Sequence, residues 1–212
     1  MRIAVTQRVE WIEGYGERRD CLDQQWSVLL ESLGIDVVPV PNSLTAPQAW
    51  LERQRVAGII LTGGNDLAHL PGAARSAPER DATEIALLSS AALQRLPVLG
   101  VCRGMQMLNH FLGGGLAPVP NHIAVRHAVR ALNNDGFFSG YREVNSFHGW
   151  GMQISDLAPE VSAQVCAIDG TVEAFTHDHL PWVGLMWHPE REAPFHILDT
   201  ELIRKLFESG TI

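Results

Sequence analysis

The sequence is poor in cysteine, which excludes a fold held together by disulfides. Its 212 residues contain three cysteines, Cys21, Cys102 and Cys166. Secreted domains that depend on disulfides carry a denser, even-numbered set. The three are widely separated and include no paired spacing of the kind that binds zinc. We therefore expect free thiols in a reducing compartment.

The chain also lacks the features of membrane and nucleic-acid-binding proteins. Its first residues, MRIAVTQR, contain only a short apolar run, and no later stretch approaches the length that spans a bilayer. The formal net charge is −8, and no segment concentrates lysine and arginine. We expect a cytoplasmic protein that binds neither a membrane nor a free polynucleotide.

The residues that are present predict one α/β domain over residues 1–212. Hydrophobic residues make up 46% of the chain, and there is no internal repeat or low-complexity linker. In the first half, short apolar runs alternate with stretches of helical periodicity, which predicts a mostly parallel sheet covered by helices. The predicted strands are residues 2–6, 36–40, 56–62 and 97–101. One predicted helix follows the charged segment 17–23, and two others occupy residues 81–96 and 103–112.

The second half of the chain predicts shorter strands separated by turns. These are residues 122–132, 142–145, 164–168, 172–176 and 182–186, which we expect to form an antiparallel extension of the sheet. A terminal helix is predicted over residues 195–209.

The strongest chemical signal is the segment LPVLGVCRGMQML. An apolar strand ends at Gly100 and Cys102, and a helix follows directly past Gly104. This pattern is typical of a nucleophile elbow, a sharp turn that lifts the reactive side chain out of the sheet. The helix N-terminus favours a thiolate at Cys102. An ordinary buried core cysteine is the alternative, and the flanking glycines disfavour it.

A base and its orienting partner are supplied by GLMWHPER, which follows another apolar strand. His188 and Glu190 flank a proline, so both side chains can lie on the same side of a short extended turn. On its own this tripeptide would be weak evidence, since surface turns of this type are common. Together with the elbow it predicts a Cys-His-Glu triad.

A glycine loop after the predicted strand 56–62 supplies the third element. In IILTGGNDL, the backbone amide of Gly64 can approach a substrate closely, and we predict that it forms an oxyanion hole with the amide of Arg103. An ordinary turn is the alternative. Gln106 lies one helical turn after Cys102 and could bind the amino-acid end of the substrate.

Several histidines suggest a metal site, but we interpret them as structural. His122 and His127, and the segment 177–179, lack an HExxH motif, a CxxC pair or a carboxylate cluster. We therefore predict no metal and no organic cofactor.

These elements together resemble the class I glutamine amidotransferase superfamily, and within it the peptidase C26 branch of γ-glutamyl hydrolases. TGGND, GVCRGMQ, VNSFHG and MWHPE occur in the family's order over nearly the whole chain. The resemblance implies a flavodoxin-like three-layer sandwich, a glutamyl-thioester intermediate and a small-molecule γ-glutamyl substrate. It also implies a substrate pocket formed by Gln106, Asn145, Ser146, Phe147 and His148.

Further segments resemble the members of this family that hydrolyse γ-glutamyl-CDP-amidate in the biosynthesis of polysaccharide phosphoramidate. They are AVTQR, ERRDCLDQQW, GGNDL, PNHI, NSFH and TVEAF. This likeness implies a nucleotide-linked substrate whose diphosphate could contact Arg8, Arg18 or Arg19.

Three alternatives stay open from the sequence. The chain could hydrolyse γ-glutamyl amines, it could be a glutaminase that supplies ammonia to a synthase partner, or it could be a non-enzymatic sensor on the same fold. The intact MWHPE segment disfavours the last of these. The sequence also leaves open whether the chain forms a homodimer.

Overall fold

Short β-branched runs and amphipathic segments alternate along the chain, and they fold into a mixed sheet flanked by helices. The structure is a computed structural model, and it describes residues 1–210. The strands are β1 (Arg2–Thr6), β2 (Arg8–Ile12), β3 (Glu17–Cys21), β4 (Asp36–Val40), β5 (Ile59–Leu61), β6 (Val98–Val101), β7 (Ala117–Pro118), β8 (Ile123–Ala131), β9 (Glu143–Phe147), β10 (Trp150–Gly151), β11 (Val161–Ala167), β12 (Val172–His177) and β13 (Trp182–Leu185). The helices are α1 (Gln24–Ser32), α2 (Pro47–Gln54), α3 (Pro78–Gln94), α4 (Arg103–Phe111) and α5 (Ile197–Ser209).

The main sheet has nine strands in the order β4-β1-β5-β6-β13-β12-β11-β8-β9. The five strands from β4 to β13 are parallel to one another, and each neighbouring pair from β13 to β9 is antiparallel. The predicted mostly parallel sheet with an antiparallel extension is confirmed. The predicted strand at residues 182–186 is β13, which pairs antiparallel with β12 and parallel with β6, so it joins the two parts of the sheet. All four residues of β13 are buried, as expected for a strand covered on both faces.

Helices cover the sheet on both faces because successive strand residues point in opposite directions. On one face, Ile60 and Leu99 pack with side chains of α1 and α5. On the other face, Ile59, Leu61 and Val98 pack with side chains of α2, α3 and α4. The result is a three-layer sandwich in which the parallel strands are enclosed.

The charged segment 17–23 leads into a helix, as predicted, but most of it forms a strand of a hairpin that was not predicted. Arg8 lies in β2, and Glu17–Cys21 forms β3, paired antiparallel with β2. The following helix begins only at Gln24, where the Asp23 carboxylate caps the amide of Gln25 at 3.0 Å. The hairpin therefore stands at the carboxyl end of β1.

Helix α2 was not predicted from the sequence, although Pro47 at its first turn is a typical start signal. No helix within residues 1–210 combines the length and the apolar character needed to cross a membrane.

Candidate active site

The loops after three adjacent parallel strands meet at one edge of the sheet. Cys102 follows β6, the pair Gly63 and Gly64 follows β5, and His188 lies just beyond β13. Ligands of open α/β sheets bind at the carboxyl ends of the strands. Cys102, Gly64 and His188 line a cavity of about 850 Å³ at this edge.

Cys102 occupies a strained turn between strand and helix. Its backbone has φ 52° and ψ −107°, and its N–H donates to the Leu185 carbonyl at 2.7 Å. The flanking glycines allow β6, α4 and β5 to approach one another. A Cβ atom at Gly104 would lie 2.0 Å from the Leu61 carbonyl oxygen, and one at Gly100 would lie 2.6 Å from that of Gly104. This is the geometry that the elbow motif predicts.

His188 and Glu190 form a buried pair next to Cys102. His188 Nδ1 lies 2.7 Å from Glu190 Oε1, and each residue is only 2% exposed. The His188 ring also lies close enough to the Cys102 side chain for Cys102 to raise the pKa of His188. The Phe147 and His188 rings form an edge-to-face contact, with their centroids 5.6 Å apart.

The surroundings of His188 favour its protonated form. Burial lowers the pKa of His188, but the negative charges of Cys102 and Glu190 outweigh burial and raise that pKa to about 9. His188 is therefore expected to be protonated at neutral pH.

Asn145 holds the main chain of His188 from both sides. The His188 N–H donates to Asn145 Oδ1 at 2.9 Å, and Asn145 Nδ2 donates to the His188 carbonyl at 2.9 Å. Asn145 Nδ2 also donates to Glu192 Oε1 at 2.7 Å. Since its amide is engaged in this way and it does not line the cavity, its contacts differ from those expected of a substrate ligand.

A buried arginine that sequence reasoning missed holds the glycine loop. Arg80 donates to the carbonyl oxygens of Thr62 at 2.6 Å, Gly63 at 3.1 Å and Gly64 at 2.6 Å. Burial and, second, the charge of Arg103 lower the pKa of Arg80 to about 10, although Glu84 opposes both effects. Arg80 thereby fixes the backbone of Gly64, whose φ is 82°.

The Arg103 side chain points away from the cavity into the same buried network. It forms ion pairs with Glu84 and with Asp81, both on α3. Burial raises the pKa of Glu84, but Arg103 and Arg80 outweigh it, and the net pKa lies below the usual value. The i,i+4 spacing of Arg80 and Glu84 was visible in the sequence, whereas their burial was not.

The predicted substrate pocket is brought together in part. Gln106, Phe147 and His148 line the cavity, and Gln106 Nε2 donates to the Trp150 carbonyl at 2.9 Å. Ser146 does not line it, because its hydroxyl is buried and donates to the His122 carbonyl at 2.7 Å.

The three arginines considered for a diphosphate differ in position. Arg8 and Arg18 line the cavity, where they pair with Glu10 and Glu79 respectively. Arg19 does not line it and pairs with Glu17 at 2.6 Å. Arg191, which sequence reasoning did not select, lines the cavity and lies over the Phe147 ring, 4.4 Å from its centroid.

Comparison with known proteins places this site in context. A model of the Peptidase C26 family matches residues 3–190. The chain is 34% identical over 91% of its length to the γ-glutamyl-CDP-amidate hydrolase of Campylobacter jejuni, covering 91% of that protein. It is 29% identical to the γ-glutamyl-γ-aminobutyrate hydrolase of Escherichia coli O157:H7, with 81% of this chain and 77% of that protein covered. The crystal structure of a glutamine amidotransferase from Thermotoga maritima has the same fold, with a TM-score of 0.66, 20% identity, and coverage of 100% of this chain and 85% of the other.

Proposed function

The chain belongs to the Peptidase C26 family, and on that premise we propose that it is a cysteine-dependent hydrolase that cleaves a γ-glutamyl amide and releases glutamate. The observation that carries this proposal is the meeting of Cys102 with the His188–Glu190 pair at the edge of one large cavity. The γ-glutamyl hydrolases among its relatives support the substrate class.

In the proposed reaction, the Cys102 thiolate attacks the γ-carbonyl carbon of the substrate. The amides of Gly64 and Arg103 donate to the developing oxyanion. The His188 imidazolium then gives its proton to the departing nitrogen, the C–N bond breaks, and a glutamyl thioester remains on Cys102. His188 next takes a proton from water, which attacks the thioester and releases glutamate and the Cys102 thiolate. Glu190 keeps the imidazole in the required orientation.

Two further residues have positioning roles in this proposal. Arg80 binds the carbonyl groups of the glycine loop and so directs the Gly64 amide toward the cavity. Asn145 fixes the backbone of His188, so we assign it to the support of the base rather than to the substrate. Gln106 and Phe147 remain in the proposed substrate pocket, whereas the buried His148 only borders the cavity.

For the substrate itself we propose γ-glutamyl-CDP-amidate, which would place the reaction in the biosynthesis of polysaccharide phosphoramidate. The named activity of the C. jejuni relative supports this choice. The cavity of about 850 Å³ lies within the usual range of ligand pockets. Guanidinium groups of Arg8 and Arg18 border it and suit a diphosphate. Trp11, which is 55% exposed, also borders the cavity and offers a face on which a base can stack.

The test is glutamate release by the purified protein from γ-glutamyl-CDP-amidate, γ-glutamyl-γ-aminobutyrate and glutamine. Cys102→Ala should abolish release, while Cys21→Ala, a cysteine outside the elbow, should leave it unchanged. Selective release from the nucleotide is the expected result. Release from the amine alone would discard the nucleotide, and release from glutamine alone would favour a glutaminase with a synthase partner. No release from any of the three would overturn the proposed hydrolase.

A further inference from the structure

Beside the cavity, four side chains that commonly ligate metals converge from separate parts of the chain. They are His122, His127, His148 and Glu173, and one potential ligand atom from each lies within 4.8 Å of all the others. His122 immediately precedes β8 and His127 lies within it, His148 follows β9, and Glu173 lies on β12. Pairing of β8 with β9 and of β11 with both β8 and β12 brings these positions together.

The separations suit a shared ion better than direct hydrogen bonds. Glu173 Oε1 lies 3.4 Å from His122 Nδ1 and 3.6 Å from both His127 Nε2 and His148 Nε2. Hydrogen bonds between nitrogen and oxygen are normally about 2.7–3.2 Å long. Tetrahedral zinc, with bonds of about 2.0–2.1 Å to nitrogen and oxygen, separates its ligand atoms by about 3.3–3.4 Å.

Glu173 is a buried acid without a conventional partner. It is 0% exposed, and neither of its carboxylate oxygens has a hydrogen-bond donor among residues 1–210. No lysine or arginine in that part of the chain forms an ion pair with it. A buried carboxylate requires a compensating charge, and here only the histidines or a cation between them can supply it.

The outer contacts of two histidines determine which ring nitrogens face inward. His148 Nδ1 lies 3.0 Å from the Trp150 carbonyl, which only accepts, so this nitrogen carries the proton. His122 Nε2 lies 2.9 Å from Asp169 Oδ2 and donates to it in the same way. In the neutral rings, His122 Nδ1 and His148 Nε2 therefore present lone pairs to each other across 3.3 Å, and both face the Glu173 carboxylate. Three acceptors in contact repel one another unless a cation lies between them.

We propose that His122, His127, His148 and Glu173 bind one zinc ion. Imidazole and carboxylate donors suit zinc, and Asp169 and the Trp150 carbonyl provide the outer hydrogen bonds that usually orient ligating histidines. Four protein ligands leave no open position, so the site is structural. The ion connects β8 and β12 to residues 147–150 and thereby fixes one wall of the cavity. The proposal revises the sequence-based interpretation of His122 and His127 as structural histidines. That interpretation did not take His148 and Glu173 into account.

The rival occupant is a proton. An imidazolium at one of the three histidines would also compensate Glu173, without any metal. Measurement of the zinc bound per chain distinguishes the two, because a site held together by a proton would bind no stoichiometric zinc.

The experiment measures zinc binding to the tag-free protein in a Cys102→Ala background, which removes a competing thiolate. After treatment with a chelator, the protein is titrated with zinc in competition with a chromophoric chelator, and the melting temperature is followed in parallel. We expect one equivalent of zinc per chain and a rise in melting temperature. Glu173→Gln and His127→Asn should each weaken binding at least 10-fold and remove the rise, while His179→Asn, outside the cluster, should change neither.

Failure of the background protein to bind zinc would overturn the proposal in favour of the proton. Binding that persists unchanged in both cluster variants would overturn it as well, since the zinc would then lie elsewhere. Circular dichroism shows whether the variants fold. If they do not, substitution of cobalt into the background protein decides, because a tetrahedral site gives intense visible absorption bands and a hydrated ion does not.

Discussion

At the residue scale, the proposed chemistry depends on the protonation state of the buried His188 side chain. Burial alone would drive His188 toward its neutral form, but Cys102 and Glu190 reverse that tendency. Cys102 and Glu190 together therefore set the protonation state of His188. Glu190 contributes a charge as well as an orientation, since its Oε1 lies 2.7 Å from the imidazole.

Replacement of Cys102 by alanine should lower the pKa of His188 from about 9, because it removes one of the two negative charges that raise this pKa. Histidine NMR titration of the wild type and the variant measures the change. The raised pKa of His188 also makes the free energy of unfolding depend on pH. With a folded-state pKa above the unfolded value of about 6.5, the stabilisation by His188 is full below pH 6.5 and is lost as the pH rises through 9. Denaturant unfolding should show a smaller loss over that window in the variant, and an equal loss would contradict the coupling.

Replacement of Glu190 by glutamine tests the partner of the base separately from the nucleophile. The amide keeps the shape of the carboxylate but removes the charge, and it can present a donor to His188 Nδ1. We expect kcat for glutamate release to fall roughly 100-fold or more. Glu192→Gln, which alters a neighbouring carboxylate that contacts Asn145 and not the imidazole, is the control. Equal effects of the two changes would argue against a specific role for Glu190.

At the scale of elements, the position of the site depends on helix α3 as much as on the strands that carry it. Arg80 and Glu84, one turn apart on α3, reach the glycine loop after β5 and the first residue of α4. The same buried ion pairs therefore hold the two residues, Gly64 and Arg103, whose amides we propose for the oxyanion hole. A network of this kind favours one loop geometry, because any other would leave buried charges unpaired.

Replacement of Arg80 by lysine should therefore impair both stability and the reaction. Lysine keeps the charge but has no planar fork, so it cannot bind three carbonyl groups and Glu84 together. We expect the free energy of unfolding to fall by about 1–3 kcal/mol, as for unsatisfied buried polar groups. We also expect kcat to fall more than KM changes. The exposed Arg53→Lys on α2 is the control, and a normal kcat in Arg80→Lys would show that the loop is held by other contacts.

Elements with strong periodicity were predictable from the sequence, and those whose form depends on partners were not. Strand β4 falls on the predicted residues, and α4 begins where the elbow motif places it. The hairpin of β2 and β3 was missed because β3 is charged and mostly exposed, so it lacks the apolar alternation of a half-buried strand. Among the candidate site residues, local sequence motifs were enough to select Cys102, His188 and Glu190. Arg80 and Glu173 did not, since their importance comes from burial next to residues distant in sequence.

At the scale of the whole molecule, the charge distribution bears on which substrate the cavity accepts. The formal net charge of −8 opposes the approach of an anionic nucleotide. Arg8, Arg18, Arg75 and Arg191 at the cavity counter this locally, since charges farther away than about 8–10 Å are largely screened at physiological salt. Binding of a diphosphate should therefore depend on these few arginines rather than on the net charge.

This leads to a prediction that separates the nucleotide from other γ-glutamyl amides. Arg8→Gln and Arg18→Gln should each raise KM for γ-glutamyl-CDP-amidate about 10-fold, because each removes one charge-assisted hydrogen bond. Neither should change KM for γ-glutamyl-γ-aminobutyrate to that extent, since this compound carries no diphosphate. Arg19→Gln, on the same hairpin but outside the cavity lining, is the matched control and should have no effect on either substrate. Added salt should raise KM for the nucleotide in the wild type and have less effect once Arg8 or Arg18 is replaced. If all three variants change the two KM values alike, the hairpin affects the cavity only through its fold, and the diphosphate has no binding site on these arginines.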